Sequence, residues 1–187
     1  MPKLSPIKPE YIEKFLQRNE AILEIGSGSG ETYSYLKNLG FNIIGTDKKT
    51  VDDRLIRCDA EKLPFSDGCF DFVLMECVFS LCDSKKCAEE AFRILKKGGR
   101  LLTTDLFSSS ISMLPDNIDG IGNLYSKEEY ESFFTMFKLD AFELHTDDMI
   151  DMMCETVLNE DNCISLKSIK QLSLIKPEYG LWLFKKN

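Results

Sequence analysis

Short apolar runs alternate with amphipathic stretches along this chain, and the alternation predicts strands and helices in turn. Ala21–Ile25, Phe41–Asp47, Leu55–Asp59, Phe70–Cys77 and Arg100–Phe107 are runs of strand length rich in Ile, Val, Leu and Phe. Helical spacing occupies Pro9–Arg18, about Glu31–Asn38 and roughly Ser84–Lys97, where Ala88, Ala91, Phe92 and Leu95 share one face. Gly40 stops the second helix, and Gly98 with Gly99 stops the third. Strands that alternate with helices predict a parallel sheet covered on both faces. One crossover breaks the rhythm. Only seven residues separate Asp47 from Leu55, fewer than the about 10–12 of a crossover that includes a helix, so this link is a stub helix or a bare loop.

Beyond Phe107 the pattern changes. Ser108–Asn123 (SSSISMLPDNIDGIGN) is rich in Ser, Gly, Asn and Asp and reads as a loop or lid. Ser126 with Glu129 three residues later forms a capping box for a helix to Phe137. Leu139–His145 is then a sixth strand, Asp148–Asn159 a Met-rich helix, and Tyr179–Lys185 a closing strand. Seven strands, the last pair antiparallel, complete the sheet. No repeat or linker divides the chain, so residues 1–187 are expected to form a single domain.

Composition narrows the function classes. With 187 residues and 43% hydrophobic content, the chain can bury one sizeable core. The balance of 23 basic against 31 acidic residues gives a net charge of -8, which repels nucleic-acid backbones and anionic membrane surfaces. No apolar signal segment or run of membrane-spanning length is present, so a cytoplasmic protein is expected. Seven cysteines without a CxxC pair point to reduced thiols rather than a disulfide framework or a metal site. Oligomeric state is left open.

The densest chemical signal is AILEIGSGSG, Ala21–Gly30, a buried strand that runs into a glycine loop. Gly26, Gly28 and Gly30 let the backbone approach a ligand closely and turn into the next helix, and Ser27 lies between the first two. A dinucleotide fingerprint would place its third glycine where Glu31 stands. A site without that spacing, and with the carboxylate of Glu24 at the strand end, suits a cationic or zwitterionic nucleoside. S-adenosylmethionine (SAM) fits that description. Asp47 lies 21 residues after Gly26, close to the spacing of a ribose-binding acid.

Several landmarks recur in order: LEIGSGSG, IIGTD ending at Asp47, CDAEKLPF, FDFVLMECVFSL and EEAFRILKKGGRLLTTD. Together they resemble the class I SAM-dependent methyltransferases over roughly the first 107 residues, and more loosely beyond. The resemblance implies a Rossmann-like α/β fold with a seven-stranded, mostly parallel sheet. It implies that SAM is converted to S-adenosylhomocysteine (SAH), that Asp47 holds both ribose hydroxyls and that Asp59 binds the adenine amino group. Ala60 would turn its backbone N–H toward the ring, and Glu24 would orient the methionine amino group.

SAM carries an activated methyl, so a protein of this kind chiefly aligns reactants for in-line displacement, and a base is needed only for an acceptor that carries its proton. Ligands of such sheets sit at the carboxyl ends of the strands, which nominates Glu76, Cys77 and Asp105 near the transferred methyl. Glu76 is the candidate base, or else a contact to the methionine end of SAM. His145 reads as a surface residue. MECVFSLC is similar to a segment of arsenite methyltransferases, with Cys77 in the position of a metalloid-binding cysteine and Cys82 five residues on. DNIDGIGNLY lacks the further cysteine found there. A methyltransferase acting on a small molecule is therefore the principal expectation. A metalloid methyltransferase and a non-catalytic SAM-binding regulatory module are the alternatives.

Overall fold

The structure is a computed structural model that describes residues 5–108, 122–158 and 177–187, with side chains for all of these but 155–158. The elements are α1 (Pro9–Glu13), β1 (Ala21–Ile25), α2 (Glu31–Asn38), β2 (Asn42–Asp47), β3 (Ile56–Arg57), β4 (Phe70–Glu76), α3 (Ser84–Ile94), β5 (Leu95–Phe107), α4 (Lys127–Ser132), β6 (Phe137–Leu144), α5 (Thr146–Leu158) and β7 (Glu178–Lys186). They build a seven-stranded sheet in the order β3-β2-β1-β4-β5-β7-β6. β1 to β5 pair in parallel, and β7 runs antiparallel to both β5 and β6. This is the Rossmann-like, mostly parallel architecture that the alternation of elements predicts.

Alternate residues along the central strands feed two apolar layers, because successive side chains leave a strand on opposite faces. Leu23, Ile25, Val73 and Met75 pack on one face with Cys87, Ala88, Ala91 and Ile94 of α3 and Tyr130 of α4. Ile22, Phe72 and Leu74 pack on the other with Ile12 of α1, Leu36 of α2 and Met149 of α5. Helices thus cover both faces, and the carboxyl ends of β1, β2 and β4 meet at one edge.

Several boundaries differ from the sequence pattern, each for a local reason. α1 ends at Glu13 rather than Arg18, because Lys14, Phe15 and Leu16 donate their N–H groups to carbonyls three residues back and the coil tightens. The short link after β2 is a bare loop, with Asp52 accepting the Arg54 N–H at 2.9 Å, and only Ile56 and Arg57 of the third apolar run pair with β2. α3 stops at Ile94 because Leu95 pairs with Phe70, so Lys96–Gly99 belong to an irregular start of β5. α4 ends at Ser132, and the capping box of Ser126 and Glu129 closes in both directions. Of the expected loop or lid Ser108–Asn123, residues 109–121 lie outside the described residues.

Candidate functional site

The glycine loop leaves β1 at Ile25 and crosses the end of β2 before α2 begins. Gly26, Gly28 and Gly30 take φ values of 72°, 54° and 74°, the left-handed region that L side chains adopt at a cost. At Gly26 space is also limiting, since a Cβ there would lie 2.2 Å from Val78 Cγ2. The loop is tied to β2 where Ser27, itself buried, donates its N–H to the Thr46 carbonyl at 2.8 Å. Gly28 donates its N–H to Asp47 Oδ2 at 3.0 Å, and Lys49 donates to Asp47 Oδ1 at 2.7 Å. Asp47 is thereby aimed along the loop.

The segment after β3 brings a second carboxylate to the same edge. Cys58 donates its N–H to the Asp47 carbonyl at 3.3 Å. Asp59 follows, with Oδ1 accepting the Glu61 N–H at 3.1 Å and Oδ2 paired with Lys48 Nζ at 2.7 Å. The hydrogen bond from Lys48 holds the Asp59 carboxyl below the usual carboxylate range. Ala60 is buried in the core layer that includes Leu23 and Met75. An exposed ion pair of this kind contributes about 0–1 kcal/mol, so a ligand amine can replace Lys48 on Asp59 at small cost.

Two further carboxylates sit deeper. Glu24 on β1 is 2% exposed and Glu76 at the end of β4 is 4% exposed. Thr32, in the first turn of α2, donates to Glu76 Oε1 at 3.1 Å, and Ser5 donates to Glu76 Oε2 at 2.8 Å. Cys77 follows with φ 53°, the one non-glycine residue at positive φ among the described residues. Its Sγ lies 3.1 Å from the Tyr179 hydroxyl, and its N–H donates to the Thr104 carbonyl at 2.8 Å.

The remaining candidates have protein partners of their own. Asp105 turns to the segment after β4, where it accepts the N–H and hydroxyl of Ser80, each at 2.9 Å. Complete burial pushes its carboxyl up to about 6. Cys82 pairs with Cys87, whose thiol hydrogen bond holds the Cys82 thiol below its ordinary value. His145 is set between Asp148 (2.7 Å) and Glu143 (3.3 Å), with the Tyr11 ring edge-on at 5.0 Å. It is therefore a packed linker between α1 and the end of β6 rather than a free surface residue. Ser5, Thr32 and Tyr179 escaped the sequence reading. Only Thr32 carried a readable cue, its place two residues after Gly30.

The set of carboxylate acceptors fits SAM. Asp47 and Asp59 can accept from ribose hydroxyls and an adenine amine, while buried Glu24 and Glu76 can take an ammonium, which a burial of two carboxylates at one sheet edge favours.

Comparisons with known proteins bear on the family and the fold. Residues 23–103 match the family described as "Methyltransferase domain". An uncharacterized protein, MJ1123, of Methanocaldococcus jannaschii is 30% identical over 138 residues, covering 71% of this chain and 62% of that protein. The ubiquinone/menaquinone biosynthesis C-methyltransferase UbiE of Rickettsia bellii is 30% identical over 132 residues, covering 58% of this chain and 53% of the relative. The chain thus spans between half and two thirds of the length of these relatives. A solved structure of geranyl diphosphate C-methyltransferase from Streptomyces coelicolor, in complex with SAH, superposes with a TM-score of 0.78 at 15% identity, covering 96% of this chain and 78% of that one. Among the described residues, no helix is long and apolar enough to cross a membrane.

Proposed function

We propose that this chain, a class I SAM-dependent methyltransferase by its match to the methyltransferase-domain family and its similarity to named methyltransferases, transfers a methyl group from SAM to a small-molecule acceptor by in-line displacement. The observation that carries this reading is the contact of Gly28 with Asp47, which presents a carboxylate and a close-approach backbone on one edge of the sheet. SAM supplies the activated methyl, so the work left to the protein is orientation and exclusion of water.

Each residue then has a task. Gly26, Ser27, Gly28 and Gly30 form the wall that the cofactor approaches. Asp47 accepts both ribose hydroxyls, in charge-assisted bonds that together contribute about 1.5–3 kcal/mol. Asp59 takes the adenine amine once Lys48 swings aside, and the Ala60 N–H faces the ring. Glu24 holds the ammonium of the methionine end. Glu76 sits beside it with hydroxyl donors on both oxygens, which supports a binding role over that of a general base. Cys77, with its thiol against Tyr179, closes the strand end near the acceptor rather than offering a metalloid ligand.

A small acceptor, met in the cytoplasm and without nucleic acid, accords with the net charge of -8. It also accords with the UbiE relatives, named for quinone biosynthesis. The test is conversion of SAM to SAH by the purified protein with fractions of a cell extract, followed by mass spectrometry. Acceptor-dependent SAH is expected from the wild type and its loss from Asp47→Ala. Tight SAM binding with no SAH from any fraction would favour the regulatory module instead.

A further inference from the structure

A chain of hydroxyl groups links four distant parts of the molecule at the carboxyl ends of β4 and β5. Tyr179, at the start of β7, is 1% exposed. Its hydroxyl lies 2.7 Å from Thr104 Oγ1 on β5, 3.1 Å from Cys77 Sγ and 3.3 Å from Ser5 Oγ. Ser5 in turn donates to Glu76 Oε2 at 2.8 Å. The N-terminal segment that brings Ser5 there is anchored by Ile7, 4% exposed, in the core layer that also contains Tyr179.

We propose that Tyr179 is a positioning residue of the cofactor site, whose hydroxyl, fixed between Thr104 and Cys77, orients Ser5 and through it sets the Glu76 carboxylate toward the amino-acid end of SAM. The inference rests on the SAM site proposed above. A serine hydroxyl has one proton, and its direction follows from the acceptor and donor on either side. The single Tyr179 proton lies between Thr104 Oγ1 at 2.7 Å and Ser5 Oγ at 3.3 Å, and the Ile7 N–H also donates to Ser5 Oγ at 3.3 Å, so the Ser5 oxygen faces two donors and its own proton is directed at Glu76. Burial pushes the Tyr179 phenol well above its ordinary value, so the hydroxyl keeps its proton throughout the working pH range. The same hydroxyl holds the Cys77 thiol, next to the left-handed turn at the end of β4. A carboxylate caught between Thr32 and Ser5 is ordered before the ligand arrives, and such ordering strengthens binding by removing its entropic cost.

The test compares SAM with 5′-methylthioadenosine, which keeps the adenosine and lacks the amino-acid portion. Calorimetric titration of the full chain should show SAM weakened about three- to tenfold in Tyr179→Phe, with methylthioadenosine unchanged. Ser5→Ala, at a half-buried position outside the sheet, should show the same selective loss and covers the case of a Tyr179→Phe protein that does not fold. Glu76→Gln should repeat it, and Tyr179→Phe should add little on top of Glu76→Gln, since both act through one carboxylate. Equal weakening of both ligands in Ser5→Ala or Tyr179→Phe, or no weakening of SAM, would overturn the assignment. Asp47→Ala separates the two levels of failure, because it must weaken both ligands. If it weakens neither, the SAM site itself is misplaced and the role of Tyr179 falls with it.

Discussion

Gly28 and Asp47, 19 residues apart, are joined directly by the bond from the glycine N–H to Oδ2 at 3.0 Å. The contact fastens the loop after β1 to the end of β2, so backbone conformation and carboxylate direction are set together. A side chain at Gly28 therefore disturbs both.

Gly28→Val places a β-branched residue at φ 54°, a conformation that costs L residues roughly 1–2 kcal/mol. Because the loop lies at the edge of the sheet, the fold should survive with stability lowered by about that amount. SAM binding should be lost. Urea denaturation and calorimetry on the same preparation measure both, and a Gly28→Val protein that binds SAM like the wild type would place the ligand elsewhere.

Asp105 supplies a pH dependence with a definite sign. Its folded-state pKa of about 6 lies above the ordinary 3.8, so the folded protein holds this proton more tightly than the unfolded chain. The associated stability is fully present below the unfolded value and is lost as pH rises through about 6, with a magnitude on the order of 2–3 kcal/mol. Between about pH 4 and 6 the stability of the wild type should fall relative to that of Asp105→Asn as pH rises. Denaturation midpoints of the two proteins that run parallel across this window would contradict the assignment.

The cysteines should separate by reactivity. Cys87 donates to Cys82, which lowers the Cys82 thiol and raises that of Cys87, while burial raises Cys58 and Cys69. The thiolate is the reacting species, so iodoacetamide should label Cys82 before Cys58, Cys69 and Cys87. In Cys87→Ala the pH of half-maximal Cys82 labelling should move upward. Peptide-resolved mass spectrometry reads both effects, and a Cys82 profile indifferent to Cys87→Ala would rule out the hydrogen bond as its cause.

Local signals carried most of the fold and the carboxylates gathered at the carboxyl edge of the sheet. β1 and α2 begin and end where apolar spacing and the flanking glycines put them, and the Ser126 capping box forms as the S-x-x-E spacing requires. Asp47 was legible because strand ends and acids repeat at a fixed distance from the glycine loop. The end of α3 was not, since Leu95 continues the helical spacing of Ala88, Ala91 and Phe92 but is taken into β5 by its pairing with Phe70. Such a choice is made by tertiary contact rather than by propensity. The hydroxyl network was invisible for the same reason. Ser5 and Tyr179 are 174 residues apart in the chain, and neither belongs to a motif that would bring them together.

The central claim, that SAM binds at the carboxyl edge of β1, β2 and β4 with its ribose on Asp47, is tested most directly by calorimetric titration of SAM into the wild type and Asp47→Ala. Loss of charge-assisted bonds to the ribose predicts a weakening of about 1.5–3 kcal/mol, roughly ten- to 150-fold, in a variant whose unfolding remains cooperative. A folded Asp47→Ala protein with unchanged SAM affinity would contradict the account.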